Sequence, residues 1–283
     1  MFLKLKNQLL SLTILLPLCG LAGPFTIDVA FEAGMDEGYK SAFTNAVTFW
    51  ETNITGYRAP ANWGMNGITI DASVEYIDGQ YGILGSAGPS YVTYGTTTLA
   101  GDSAASRVCY STAGGMTFDS ADVDMMIGNG TWEEVIRHEM AHVIGFGTLW
   151  GIDIGGNIYN DFYVDGSGEY TGAAGLAAYQ AEFDPDATFV PVELGGGSGT
   201  ANGHWDEVDG GAGLTGIATA SGDDMRNELM TGWLNSPSFL SNTTLGQFYD
   251  LGYTVIPEPA TVTMMAALAA GAFWIRRRIS YMA

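Results

Sequence analysis

Histidine, cysteine and basic side chains are scarce in this chain of 283 residues, and each scarcity limits the structures or partners that the protein can have. The two cysteines are Cys19 and Cys109, and Cys19 lies in an apolar N-terminal run, so the folded body cannot form an internal disulfide. Ten Lys and Arg stand against 31 Asp and Glu. This acidic balance argues against nucleic acid as a partner, because phosphates would be repelled. The three histidines, His138, His142 and His204, either converge on one metal or form no histidine-rich site.

The N-terminal end has the composition of an export signal. Residues 1–22 contain Lys4 and Lys6, an apolar run from Leu9 to Leu18, and a small-x-small cleavage sequence at residues 20–22. This order predicts a secretory signal peptide that is removed from the mature protein. Residues 23–256 are therefore expected outside the cytoplasm.

The C-terminal end has a second apolar segment. Pro257-Glu258-Pro259 is followed by an apolar stretch from Ala260 to Ile275 and by the arginines 276–278. These features predict a short transmembrane helix, whose arginines stay in the cytoplasm. Residues 255–283 resemble the PEP-CTERM sorting signal of Gram-negative exporters. The resemblance implies a transient membrane anchor, cleavage by a membrane exosortase and release to the cell surface or the medium. A permanent anchor is the alternative.

The body between the two ends, residues 23–254, fits one domain. It holds five basic and 30 acidic residues, a formal charge of −25. The order of strands and helices predicts a layered α+β fold rather than an all-β sandwich. The predicted strands are 25–31, 67–78, 91–94, 108–110 and 123–127. Four helices are predicted: one after Asp36, one from Thr131 to Ile144, one within 170–183 and one that begins near Gly246.

The helix over Thr131–Ile144 has start and stop signals. Thr131 and Glu134 have the spacing of a capping box, and Gly145 suits a left-handed C-cap. Its apolar positions predict a face packed on the sheet, formed by Trp132, Val135, Ile136, Met140 and Val143.

This helix contains the sequence His138-Glu139-Met140-Ala141-His142. A spacing of four residues places both imidazoles on one face, about one turn apart, where they can bind one tetrahedral metal ion. Glu139 is rotated by roughly 100° from His138 and can reach a water on that metal. The pattern predicts a zinc hydrolase in which a zinc-bound water attacks a carbonyl and Glu139 is the general base.

A catalytic zinc site takes three protein ligands and keeps one position open, so the third ligand decides the architecture. The common metzincin pattern places a histidine three residues beyond the glycine, but that position here is Thr148. The sequence instead resembles leishmanolysin-type metzincins, which place the third histidine after a long insertion in a His-Trp context. The matching segments here are His204-Trp205, Glu228-Leu229-Met230-Thr231 and residues 245–253.

The resemblance covers residues 131–147 and 203–254, with 148–202 as the insertion. It implies that His138, His142 and His204 bind one Zn²⁺, that Glu139 is the general base, and that Met230 forms the hydrophobic floor of a Met-turn. It also implies a metzincin-like fold, with a twisted mixed sheet, an active-site helix and an irregular C-terminal lobe. The implied activity is that of an exported metalloendopeptidase that binds a polypeptide in an extended conformation.

Two other functions stay open on the sequence. One is a surface or biofilm-matrix protein whose zinc site is structural, and the other is a zinc hydrolase that acts on a non-peptide amide or ester. Calcium is a further candidate cofactor for the acid-rich segments 161–169 and 206–209, since calcium takes oxygen ligands. Neither segment has EF-hand spacing, and a solvated acidic surface is the alternative.

Overall fold

The computed structural model describes residues 24–207 and 213–256, so the predicted signal peptide and residues 257–283 of the predicted sorting tail lie outside it. Within those residues no helix is both long enough and apolar enough to cross a membrane. The first part of the chain contains, in order, β1 (Ile27–Phe31), α1 (Glu37–Asn53), β2 (Ile54–Tyr57), a short 3₁₀ turn (Pro60–Gly64), β3 (Ile68–Glu75), β4 (Gly85–Thr98), β5 (Ala105–Asp119), α2 (Val123–Asn129) and α3 (Trp132–Ile144). The second part contains β6 (Ile152–Ile154), β7 (Asn157–Tyr159), β8 (Glu169–Tyr170), α4 (Ala173–Glu182), β9 (Val190–Pro191), a 3₁₀ turn (Met225–Asn227), α5 (Asn242–Asp250) and β10 (Tyr253–Val255).

The main sheet is mixed and has the strand order β1-β3-β5-β4. Strands β1, β3 and β5 run parallel, and β4 runs antiparallel to β5 at one edge. Helices α1 and α3 pack together, and the Trp50 indole donates a hydrogen bond to the Arg137 carbonyl at 2.9 Å. The predicted α+β class is therefore confirmed.

The core joins the two ends of the described chain. Strand β10 pairs with β2, which places Tyr253 opposite Tyr57. The Tyr253 hydroxyl donates to the Ile144 carbonyl at 2.8 Å, at the end of α3. Helix α4 of the insertion packs on α5, where Asp250 accepts the backbone N–H groups of Ala174 and Gly175, each at 2.8 Å. The insertion is thus attached to the C-terminal part by its own helix.

Three sequence-based strand predictions need correction. Residues 123–127 belong to α2, where the buried Val123 and Met126 have a helical spacing of three; a short apolar run fits either element. The strands predicted at 91–94 and 108–110 are pieces of the much longer β4 and β5. No residue of β4 is fully buried, so the strand lacks the alternation of buried apolar and exposed polar residues by which a sequence predicts a strand.

The sequence predicted the bounds of α3 correctly, but the interactions at the two ends of the helix differ from those predicted. The capping box does not form, because the Thr131 hydroxyl donates to Asn129 Oδ1 at 2.7 Å. Glu134 instead accepts the backbone N–H of Ser238 at 3.0 Å. Gly145 ends the helix as predicted, but with φ 135°, outside the left-handed helical region. The five predicted apolar positions of α3 are all buried.

Candidate metal centre

His138 and His142 lie one turn apart on α3, whose apolar face is anchored in the core. Trp132 starts the helix with its ring against Phe43 and Phe118, at centroid distances of 5.8 and 4.7 Å. The opposite face of the helix is then free to direct side chains away from the sheet. His138 is half-buried, and His142 is 7% exposed.

The chain returns to this helix through a close backbone contact between two glycines. Gly147 has φ +68°, and a Cβ atom there would collide with the carbonyl of Gly203. The residue after Gly203 is His204, so this contact brings the third histidine to the end of α3. A side chain at position 147 would push the returning segment away.

Trp205 fixes the segment that carries His204. Its side chain is fully buried, stacks on Trp150 with ring centroids 5.1 Å apart, and donates to Thr244 Oγ1 at 2.9 Å. Its backbone N–H donates to the Met230 carbonyl at 3.0 Å. Trp205 therefore packs in the core beside the site. Because its side chain is fully buried, it does not line an exposed substrate pocket.

The three imidazoles meet at a single point. The Nε2 atoms of His138 and His204 lie 3.0 Å apart, those of His142 and His204 lie 3.0 Å apart, and those of His138 and His142 lie 3.1 Å apart. Each Nδ1 atom contacts a backbone carbonyl, from Leu229 for His138 at 2.7 Å, from Phe146 for His142 at 2.9 Å, and from Thr200 for His204 at 2.8 Å.

These carbonyls determine the tautomer of each ring. A carbonyl can only accept, so each neutral imidazole carries its proton on Nδ1 and leaves a lone pair on Nε2. Three lone pairs about 3 Å apart repel unless a cation lies between them. Ligands at about 2.05 Å around a tetrahedral zinc ion are separated by about 3.3 Å, close to the observed spacing. The three side chains can therefore hold a metal ion.

Burial keeps these rings neutral. Desolvation lowers the pKa of His138, lowers that of His142 well below its ordinary value, and lowers that of His204 to about 3. The neighbouring imidazoles lower the pKa values of His142 and His204 further. Neutral imidazole is the form that binds a metal, so the folded protein already holds the three histidines in the protonation state that metal binding requires.

Glu139 lies beside the histidines and next to the start of β4. Its carboxylate is 7% exposed and accepts no hydrogen bond from the residues that the structure describes. A Cβ atom at Gly85 would lie about 3.0 Å from Glu139 Cγ and Oε1, so a side chain there would crowd the glutamate. Burial raises the pKa of the Glu139 carboxyl to about 8. A buried carboxyl with a raised pKa beside a metal centre is suited to proton transfer.

Met230 is fully buried in the turn that follows the third histidine. The preceding residue, Leu229, provides the carbonyl that orients His138. The turn itself is held by Glu228, which is 2% exposed and accepts the Met230 N–H at 2.5 Å. The other carboxylate oxygen of Glu228 accepts from Thr244 Oγ1 at 2.6 Å and from Ser241 Oγ at 2.8 Å.

Sequence reasoning missed this buried network around Glu228. Thr244 donates to Glu228 and accepts from the Trp205 indole, so one chain of hydrogen bonds joins α5, the turn and the His204 segment. Ser241 caps α5 by accepting the Thr244 N–H. The signal available in the sequence was the serine before the α5 pattern, a common N-cap residue.

The structure thus brings His138, His142 and His204 together, with Glu139 alongside and Met230 in the adjoining turn. Comparison of the chain with protein-family models, with curated proteins and with solved structures finds no match in any of the three.

Proposed function

We propose that this protein is an exported zinc-dependent endopeptidase with a metzincin-like fold related to leishmanolysin. The observation that carries the proposal is the meeting of three Nε2 atoms within 3.1 Å beside a buried, unpaired glutamate. Three imidazoles suit zinc among the divalent metals. Zinc, when bound, polarises a carbonyl and lowers the pKa of a coordinated water to near 7.

The residues of the chain perform the proton transfers. Glu139, as a carboxylate, takes a proton from the attacking water and passes it to the leaving amine. Burial alone raises the pKa of the Glu139 carboxyl to about 8, and a cation held by the three histidines would offset this rise and favour the carboxylate that accepts the proton. The backbone carbonyls of Leu229, Phe146 and Thr200 hold the imidazoles in the tautomer that this chemistry needs.

Strand β4 is the candidate surface for an extended substrate. Among the strands of residues 24–207 and 213–256 it lies at the edge of the sheet and pairs with β5 alone, and its first residue is Gly85, next to Glu139. A peptide added to this edge gains main-chain hydrogen bonds while its carbonyl lies near the general base. The strand carries a register shift between Pro89 and Val92, a feature that limits edge-to-edge aggregation.

The structural-zinc alternative predicts a fourth protein ligand in the position of the water. Among residues 24–207 and 213–256, no further His, Cys, Asp or Glu side chain joins the three histidines. This favours an open site. Hydrolysis of a non-peptide amide or ester would use the same Glu139, and β4 is the feature that favours a peptide.

The decisive experiment compares casein hydrolysis by the full chain with that by Glu139→Ala, with zinc content measured for both. We expect Glu139→Ala to keep zinc and to lose roughly 10³-fold in rate, the typical contribution of a general base. His204→Ala should lose both zinc and activity. Equal rates for the wild type and Glu139→Ala would contradict the mechanism, and normal zinc content in His204→Ala would contradict the ligand set.

Export and tail processing are part of the same proposal. The chain would be anchored by its C-terminal helix, cleaved near Pro257–Pro259 by an exosortase and left at the cell surface or outside a Gram-negative cell. Mass spectrometry of the mature protein should then place its ends near residues 23 and 257. An intact C terminus in a host that has the exosortase would favour the permanent anchor.

A further inference from the structure

A cavity of about 570 Å³ lies at the end of the main sheet that is far from the metal centre. It is lined by Leu99, just after the end of β4, by Arg107, near the start of β5, and by Tyr249 of α5. The other end of β4 begins at Gly85, next to Glu139. The length of β4 therefore separates this cavity from the three histidines, and its volume suits a small molecule.

Three of the charged side chains that line the cavity are satisfied within the protein. Arg58 is 6% exposed, and its guanidinium donates to the carbonyls of Ala100 and Tyr249 at 2.9 and 3.0 Å. The same guanidinium forms an ion pair with Asp102. Asp250 accepts the backbone N–H groups of the first turn of α4. These three charges are therefore not available to a ligand.

Two other charged side chains of the lining have no such partner. Arg107 and Asp161 are both exposed, and neither side chain forms an ion pair or a hydrogen bond with residues 24–207 and 213–256. Their backbones are neighbours, because the Asn160 N–H donates to the Arg107 carbonyl at 3.1 Å and Asp161 follows Asn160. Within the described part of the chain, the cavity thus presents one unpaired cation beside one unpaired anion.

The remaining wall of the cavity is largely apolar. Leu99 and Val108 are buried, and Phe162 is partly buried against the core. Ile158 lines the same cavity and is 37% exposed. An apolar group that covers these side chains would be removed from water together with them, which favours binding.

We propose that this cavity binds a free α-amino acid with a large apolar side chain. Such a molecule carries its carboxylate and its ammonium group on one carbon, so Arg107 and Asp161 can bind both groups at once. The planar guanidinium suits a carboxylate, and the ammonium group has three donors for the aspartate. A simple anion would be repelled by Asp161, and a simple cation by Arg107. The inference depends on this cavity alone and holds whether or not the protein cleaves peptides.

Calorimetric titration of the full chain, with zinc bound, tests the ligand chemistry with L-phenylalanine as the probe. We expect one phenylalanine to bind per chain. The N-acetyl derivative lacks the ammonium group and the amide derivative lacks the carboxylate, so each should bind at least roughly tenfold more weakly. Glycine, which lacks the apolar side chain, should also bind more weakly.

Two substitutions test the position of the site. Arg107→Gln and Asp161→Asn should each weaken the binding of L-phenylalanine by roughly tenfold or more. Both replace an exposed side chain, so the melting temperature should stay close to that of the parent. Lys40→Gln and Asp165→Asn are the matched controls, because each removes the same charge from a side chain that does not line the cavity; they should bind as the parent does.

Four results would overturn the proposal or separate it from the proposed peptidase. No binding by the parent at about 10 mM L-phenylalanine would overturn it. Equal binding of the two derivatives would also overturn it, and this comparison uses the parent alone and needs no variant to fold. Binding of parent strength by Arg107→Gln would place the amino acid elsewhere, such as on the zinc ion, and would overturn the site. Binding in a protein that fails to hydrolyse casein would leave the site standing and remove the peptidase proposal alone.

Discussion

Burial acts in opposite directions on the two kinds of ionisable side chain at the centre. It raises the pKa of Glu139 to about 8 and lowers that of His204 to about 3, because in each case the neutral form is favoured away from water. Neutral imidazole is the form that binds a metal, whereas Glu139 has to be ionised to accept a proton, and a cation bound by the three histidines would favour that ionised form. The spacing of the residues predicted the ligands, but no local pattern predicts how deeply each side chain is buried.

The lowered histidine pKa values predict how the site behaves in acid. In the unfolded chain histidine takes up a proton near 6.5, but folded His204 does so only near 3, so the unfolded state binds more protons between these values. The stability that these rings contribute is present above about 6.5 and is lost as the pH falls toward 3. We therefore expect the folded protein to retain zinc at about pH 5, as measured by zinc content after dialysis. Full release near pH 6 would show that the rings are open to solvent.

At the scale of elements, the site depends on two contacts between segments far apart in sequence. One is the approach of Gly147 to Gly203, and the other is the hydrogen-bond chain from Trp205 through Thr244 to Glu228. Each can be tested by a substitution that touches no metal ligand.

Gly147→Ala should destabilise the fold by about 2 kcal/mol or more. The residue has φ +68°, which costs an L side chain roughly 1–2 kcal/mol, and the new Cβ would collide with Gly203. Zinc affinity should fall with it, because His204 follows Gly203. Urea unfolding and zinc titration measure both effects. Gly128→Ala is the control, since Gly128 lies in α2 with no atom within 4 Å of a new Cβ, and it should be neutral or stabilising.

Glu228→Gln should cost about 2–3 kcal/mol of stability, because an amide nitrogen would face N–H and O–H donors in a buried site. The Met230 turn and the Leu229 carbonyl that orients His138 would loosen, so zinc should dissociate faster. Urea denaturation and zinc transfer to a chelator measure the two effects. The exposed Glu169→Gln should change stability by less than about 0.5 kcal/mol. A Glu228→Gln protein as stable as that control would show that the network does not hold the turn.

At the scale of the whole molecule, a metal bound by the three histidines would link the two parts of the fold. Two of the candidate ligands come from α3, and the third comes from a segment 62 residues further along the chain. A ligand that binds only the folded state stabilises it by mass action.

Removal of zinc by a chelator should therefore lower the melting temperature by roughly 5 °C or more. The shift should reverse when zinc is restored. His204→Ala provides the control, because a protein that has lost the third ligand should melt at the same temperature with and without chelator. An unchanged melting temperature in the wild type would show that the metal does not hold the two parts together.

The sequence by itself determined the pairing of His138 and His142, the limits of α3 and the α+β class. These depend on helical periodicity and on residues close together in the chain, which the amino-acid pattern expresses directly. Only the tertiary structure decided that His204 reaches the same point, that β4 extends along the edge beside Glu139, and that Glu228 holds the turn. Those features depend on contacts between segments that are far apart in the sequence. Such contacts are made by glycine backbones and by hydrogen bonds, which leave little periodic pattern in the sequence.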